Sequence, residues 1–190
     1  SSAASDVYKR QDLPWVEHTL SEDSEELYLP RDPRDVVAQN ILNNLKYAEE
    51  HIKVDGDGNN TINRAVVQSL ISRFCLFEGT WRKYHALPNA TTYLEECTRA
   101  SKEVMNKYTT LHPNYEELFN SESLAGINGI ILYKEYATSQ LCHGLTRMVR
   151  TGESQIEATK DAVDSYLCSD GHPIKNSTTY GAVSYTHLRA

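Results

Sequence analysis

The segment Asp55-Gly56-Asp57-Gly58-Asn59-Asn60 places side-chain oxygens at alternate positions, which is how a calcium-binding loop begins. With Asp55, Asp57 and Asn59 as the first three ligands, Asn60 falls where the sharp turn needs glycine. Val66 then falls where the bidentate glutamate must stand, so the segment reads as a helix-joining loop and the chain as holding no metal. Acid–base work on a sugar needs two carboxylates about 5–9.5 Å apart across a cleft. Asp161 and Asp164 share a helix face, but Asp161 in a first turn is explained by the helix dipole. No nucleophile elbow, zinc-binding His pair or phosphate loop occurs, and the seven histidines are scattered, no two of them four residues apart. These residue types therefore carry no catalytic signature and call for no cofactor.

The aromatic residues offer a different chemistry, in which a ring lies under the apolar face of a sugar while polar side chains bind its hydroxyls. Twelve tyrosines against three phenylalanines skew the chain toward rings with a polar handle. Trp15 follows Pro14 on a loop that runs into Glu17, Glu22, Asp23, Glu25 and Glu26. It is placed either to serve as a sugar platform or to wedge that loop against the first helix. Trp81 continues an apolar stripe through Phe77 and reads as a packing residue, whereas Tyr84 and His85 leave the same helix toward solvent. The candidate ligand-binding residues are therefore Trp15, Tyr84 and His85.

Helices must position these groups. Asp32-Pro33-Arg34-Asp35 predicts a helix start with Asp32 as N-cap, Pro33 at the first position and Asp35 where the dipole favours a carboxylate. Its stripe runs Val37, Ile41, Leu45, Ala48, Ile52 and stops before the Gly-rich loop. A second helix is predicted from about Thr61, with one stripe of Val66, Leu70, Phe74, Phe77 and Trp81 and another of Val67, Ile71 and Cys75, a width that implies burial on two sides. Leu87-Pro88-Asn89 breaks it, and a third helix follows with Tyr93, Cys97, Ala100, Val104 and Tyr108 inward. Two such helices joined by a short turn form an antiparallel helical hairpin. Asn114 is placed to cap a short helix with Glu117, and Gly126 to Tyr136 reads as a short buried strand or extended segment. Leu141 to Gly152 reads as irregular, and Thr159 to Leu167 as a fourth helix with Ala162, Val163, Tyr166 and Leu167 inward, before a turn at Asp170-Gly171.

With 190 residues the chain is long enough for one good core. Its 39% hydrophobic content and mean hydropathy of -0.55 describe a polar globular protein without the run of about 20 apolar residues a membrane span needs. The segments SSAASDVYKRQ at 1–11 and VSYTHLRA at 183–190 are similar to translated adapter strings that flank reading frames assembled from short reads. Setting them aside removes Lys9, Arg10, Arg189 and Asp6 and leaves 16 basic and 25 acidic residues, a net charge of -9. This balance excludes the clustered cations of a nucleic-acid footprint. Cys75 and Cys97 fall at about the same height on the predicted hairpin, but helix axes about 8–10 Å apart favour two thiols over a bridge.

Three segments, in this order, carry a family resemblance: Asp12-Leu13-Pro14-Trp15, the Glu78-Gly79-Thr80-Trp81 helix, and TKDAVDSYLCSDGHPI at 159–174. Together with the helix opening on Arg31-Asp32-Pro33-Arg34, they resemble the SusD/RagB family of bacterial outer-membrane glycan-binding lipoproteins, over roughly residues 12–182. The resemblance implies a mainly α fold, a helical scaffold of tetratricopeptide-like hairpins with long loops and little strand, here truncated at both ends. It implies a surface-exposed lipoprotein of the outer membrane whose signal and lipid-acceptor cysteine lie upstream, so that the only membrane contact is a lipid anchor. It also implies non-catalytic binding of an oligosaccharide or other nutrient and its delivery to a SusC-like TonB-dependent transporter. The rival expectation is a helical-repeat scaffold that binds a protein partner and no glycan.

Overall fold

The computed structural model describes residues 12–137, 139–144, 148 and 158–179. The segments 1–11 and 183–190, and most of the irregular stretch at 145–152, lie outside the described residues. Among those described, the protein is helical and has no strand. Its helices are α1 (Arg34–His51), α2 (Arg64–Tyr84), α3 (Ala90–Lys107), α4 (Glu117–Asn120) and α5 (Lys160–Asp164). Single 3-10 turns lie at Glu25–Tyr28 and Ile174–Asn176. The chain forms two compact units, one reaching to Glu135 and one beginning at Tyr136.

In the first unit α2 and α3 form the antiparallel hairpin that the Leu87-Pro88-Asn89 break predicts, and α1 packs on α2. The buried core joins Ala38 and Leu42 of α1, Val67, Ile71, Phe74 and Cys75 of α2, and Tyr93 and Ala100 of α3. Of the two stripes expected on α2, that of Val67, Ile71 and Cys75 is buried together with Phe74, while Leu70 on the other is 49% exposed. Both thiols expected on the hairpin are free, with Cys75 buried and Cys97 half-buried. Burial pushes the Cys75 thiol up to about 12, so it behaves as a small apolar side chain.

The helix starts differ from expectation in an instructive way. Helix α1 begins at Arg34 with Pro33 at its N-cap, one residue after the predicted start. The Asp32 carboxylate accepts the backbone N–H of Trp15 at 2.7 Å instead of capping the helix. The cap comes from upstream, where Asp12 accepts the Arg34 N–H at 2.7 Å. Helix α2 starts after Asn63, whose side chain accepts the Val66 N–H, rather than at Thr61. At α4, Asn114 accepts the Glu116 N–H and donates to the Glu117 carboxylate, close to the box the spacing suggested.

Gly126 to Tyr136 is not a buried strand: turns lie at 125–126 and 128–129, none of its residues is buried, and it pairs with no strand among the described residues. Its partner is a side chain: Asn60 donates to the Tyr133 carbonyl at 3.0 Å and accepts the Tyr133 N–H at 2.9 Å. In the Gly-rich loop Asp55 pairs with Lys107 at 2.7 Å and Asp57 with Lys53. Gly56 has φ of +73°, and a Cβ there would strike the Thr61 hydroxyl, so this turn requires glycine.

In the second unit the fourth predicted helix is short. Thr159 caps it by accepting the Ala162 N–H, and it ends at Asp164, three residues before the predicted end at Leu167. Tyr166 and Leu167, expected inward, are 71% and 64% exposed, and Ala162 is exposed too. Helical register stops before Tyr166 and Leu167, so periodicity no longer governs where they lie. The turn at Asp170-Gly171 is present, with Gly171 at φ +75° and the Gly171 N–H donating to the Cys168 carbonyl.

Candidate functional site

The sequence motifs of the first unit meet at one end of the helical layer. Asp12 and Trp15 tie the leading segment to the start of α1, through the Arg34 N–H and the Asp32 carboxylate. From that first turn, the Arg34 guanidinium donates to both oxygens of Glu78 on α2, at 2.8 and 2.5 Å. Arg82, one turn further along α2, donates through Nε to the same carboxylate at 2.7 Å and through Nη2 to Asp35 at 2.7 Å. Its Nη1 donates to the Pro88 carbonyl at 2.9 Å, and its guanidinium carbon lies 4.9 Å from the Tyr93 ring centroid. Arg34, Asp35, Glu78 and Arg82 thus form a charge-balanced quartet linking α1, α2 and the α2–α3 turn.

Glu78 and Arg82 are each 1% exposed. A buried carboxylate is tolerated only when paired and hydrogen-bonded, and Glu78 receives three guanidinium N–H groups. Burial alone would lower the Arg82 pKa, yet the Glu78 hydrogen bond, with the Glu78 and Asp35 charges, holds it above its ordinary value. Arginine suits this position because its planar fork satisfies three acceptors in three directions. Gly79 lets α3 approach: a Cβ there would lie 2.7 Å from Leu94 side-chain atoms and 3.2 Å from the Ala90 carbonyl. The Glu-Gly-Thr-Trp segment is accordingly a packing and charge-pairing device.

The aromatic residues border this quartet. Trp81 is half-buried, stacks on His85 at 3.9 Å and on Phe77 at 6.1 Å, and has Arg34 at 5.5 Å from its centroid. Its expected packing role agrees with these contacts. His85 is exposed beyond Trp81, with Nδ1 2.8 Å from the Trp81 carbonyl oxygen, and Tyr84 is 83% exposed. Trp15 is half-buried and its indole N–H donates to Glu17 at 2.8 Å. All three candidates therefore sit near the start of α1 and the end of α2. Among the described residues, however, no hydrogen bond or ring contact joins Trp15 to Tyr84 or His85.

An open cleft of about 590 Å³ lies elsewhere in the layer, lined by Lys46, Glu49, Arg64, Gln68, Glu96 and Arg99 among others. Arg99 donates to Glu49 at 2.7 Å and to Glu96 at 2.7 Å, Lys46 lies 3.3 Å from Glu96, and Gln68 donates to Glu49. Burial pushes the Glu49 and Glu96 carboxyls up, but the Arg99 hydrogen bonds and charge outweigh it and hold both below their ordinary value. The cleft is thus a solvent-facing seam of paired charges between α1 and α3. Among the described residues no group of His, Cys, Asp and Glu is arranged to hold a metal ion.

In the second unit, the SDGHPI segment is organised by Asp170. Its carboxylate accepts the Ser177 hydroxyl at 2.8 Å and the N–H groups of His172 and Thr178 at 3.1 Å. The Ser177 hydrogen bond leads in lowering its pKa. Here too the motif residues close a loop.

The first unit defines a class, an antiparallel helical hairpin with a third helix locked to it by buried ion pairs. Comparison with protein families, with characterised proteins and with solved structures finds no match.

Proposed function

We propose that this chain acts without catalysis, binding an oligosaccharide or other nutrient at the cell surface for delivery to a TonB-dependent outer-membrane transporter. One observation supports the reading above others. The Asp12-Leu13-Pro14-Trp15, Asp32-Pro33-Arg34 and Glu78-Gly79-Thr80-Trp81 segments, on which the SusD/RagB resemblance rests, meet through Asp12–Arg34, Trp15–Asp32 and Arg34–Glu78. In this reading the quartet is the frame, and Trp15, Tyr84 and His85 around it are the rings and polar groups offered to a sugar. Among the described residues no helix is long and apolar enough to cross a membrane, and the reading needs none.

Calorimetric titration of the protein against a glycan panel tests the proposal. The expected result is saturable binding of at least one oligosaccharide, weakened about 2- to 10-fold by Trp15→Ala or Tyr84→Ala, since a stacked ring contributes about 0.5–1.5 kcal/mol. A folded protein that binds nothing on a broad panel would reject the glycan reading.

A further inference from the structure

We propose that the outward face of α2 docks an amphipathic helix of a partner protein whose flanks carry carboxylates. At about 100° per residue, Val66, Leu70, Arg73 and Leu76 fall on the side of α2 away from Ile71 and Cys75. Leu70 and Leu76 are 49% and 52% exposed, Arg73 is exposed and Val66 half-buried. Leu70, Arg73 and Leu76 stand three residues apart in one of the rows that interdigitate with a second helix. An apolar row of this kind on a helix already packed from behind is suited to helix-in-groove recognition.

Charge selects the partner. The only carboxylate in Arg64–Tyr84 is Glu78, which is buried and consumed by Arg34 and Arg82. Arg73 and Lys83 are exposed and form no ion pair among the described residues, on a protein whose formal net charge is -7. The face is therefore locally the inverse of its own surface. Two copies meeting through α2 would set Arg73 against Arg73. A helix with leucines on one side and glutamates beside them meets both the apolar row and the cations, and the paired charges fix its orientation. The row from Leu70 to Leu76 ends about two helical turns before Tyr84 and His85 and does not include Trp15, so it stands whether or not those residues bind a glycan.

The test is fluorescence anisotropy of two labelled helical peptides with the same leucine row, one flanked by glutamate and one by lysine, titrated with the full chain. The Glu-flanked peptide is expected to bind saturably and at least about tenfold tighter than the Lys-flanked one. Leu70→Asp should remove binding with circular dichroism unchanged, and Arg73→Glu should erase or invert the preference for the acidic peptide. Absence of saturable binding, equal affinity for both peptides, or binding indifferent to Leu70→Asp would overturn the proposal. Sedimentation of the protein alone supplies a further check, because a dimer that Leu70→Asp dissociates would assign the face to a second copy instead.

Discussion

Two ion clusters lie in the same three-helix layer and use the same residue types, yet they differ in what surrounds them. In the quartet, Glu78 and Arg82 are almost wholly shielded from water. In the seam, Arg99 keeps 42% of its side-chain surface exposed while it holds Glu49 and Glu96. Exposed pairs gain little, because water and salt screen them and long side chains must be ordered. Buried pairs gain little over an apolar replacement, but losing one partner leaves a bare charge in the interior. The first cluster therefore enforces one arrangement of helices, and the second only trims its energy.

The largest expected effect comes from breaking the buried cluster. Glu78→Ala leaves Arg34 and Arg82 facing each other and should cost about 3–5 kcal/mol in denaturant unfolding. A cost no larger than that of Glu49→Ala would erase the distinction between the clusters. Next comes Gly79→Ala, expected to cost about 1–3 kcal/mol by overpacking against Leu94. Adding Leu94→Ala should cost less than the sum of the two single changes, and strict additivity would show that the close approach is not what demands glycine. Arg99→Ala should cost only about 0.2–1 kcal/mol, and about 1 M salt should shrink the difference.

Acid sharpens the same contrast. Glu49 and Glu96 sit below their ordinary value of 4.5 in the folded protein, so the stability they add is present above that value. It is lost as pH falls through their lowered folded values. Unfolding midpoints followed downward from neutral pH should fall there, and less steeply in Arg99→Ala. The smallest effect is chemical: a thiol reagent at neutral pH should label exposed Cys142 readily and buried Cys75 only on unfolding. Equal labelling rates in the native protein would mean that the core around Cys75 opens freely.

The three long helices were legible because their signals are local: an 18- to 21-residue periodic run, a Gly-rich stop and a Leu-Pro-Asn break. The quartet was not read from the sequence, although a signal for it exists. Glu78 and Arg82 lie four apart and continue the stripe of Ile71, Phe74 and Cys75, so a pair of charges stands where apolar residues are due. Periodicity locates such a pair, but its partners come from residues 44 and 47 positions away, which no local pattern names. Asp32 illustrates the same limit. Its type and place fit a cap, but a tertiary hydrogen bond to Trp15 claims its carboxylate. Tyr166 and Leu167 failed for another reason, since periodicity assigns a face only while the helix continues.

Arg82 also bears on the order of folding events. Its guanidinium joins a carboxylate on its own helix, one on α1 and a carbonyl in the turn leading to α3. The hairpin alone can close two of those bonds, and the third waits for α1 to arrive. A nascent α2–α3 hairpin would therefore hold a Glu78–Arg82 pair with a guanidinium N–H and a carboxylate oxygen still without protein partners, which docking of α1 supplies through Asp35 and Arg34. The three helices should then gain and lose amide protection as one cooperative block, with no native-like hairpin populated ahead of it.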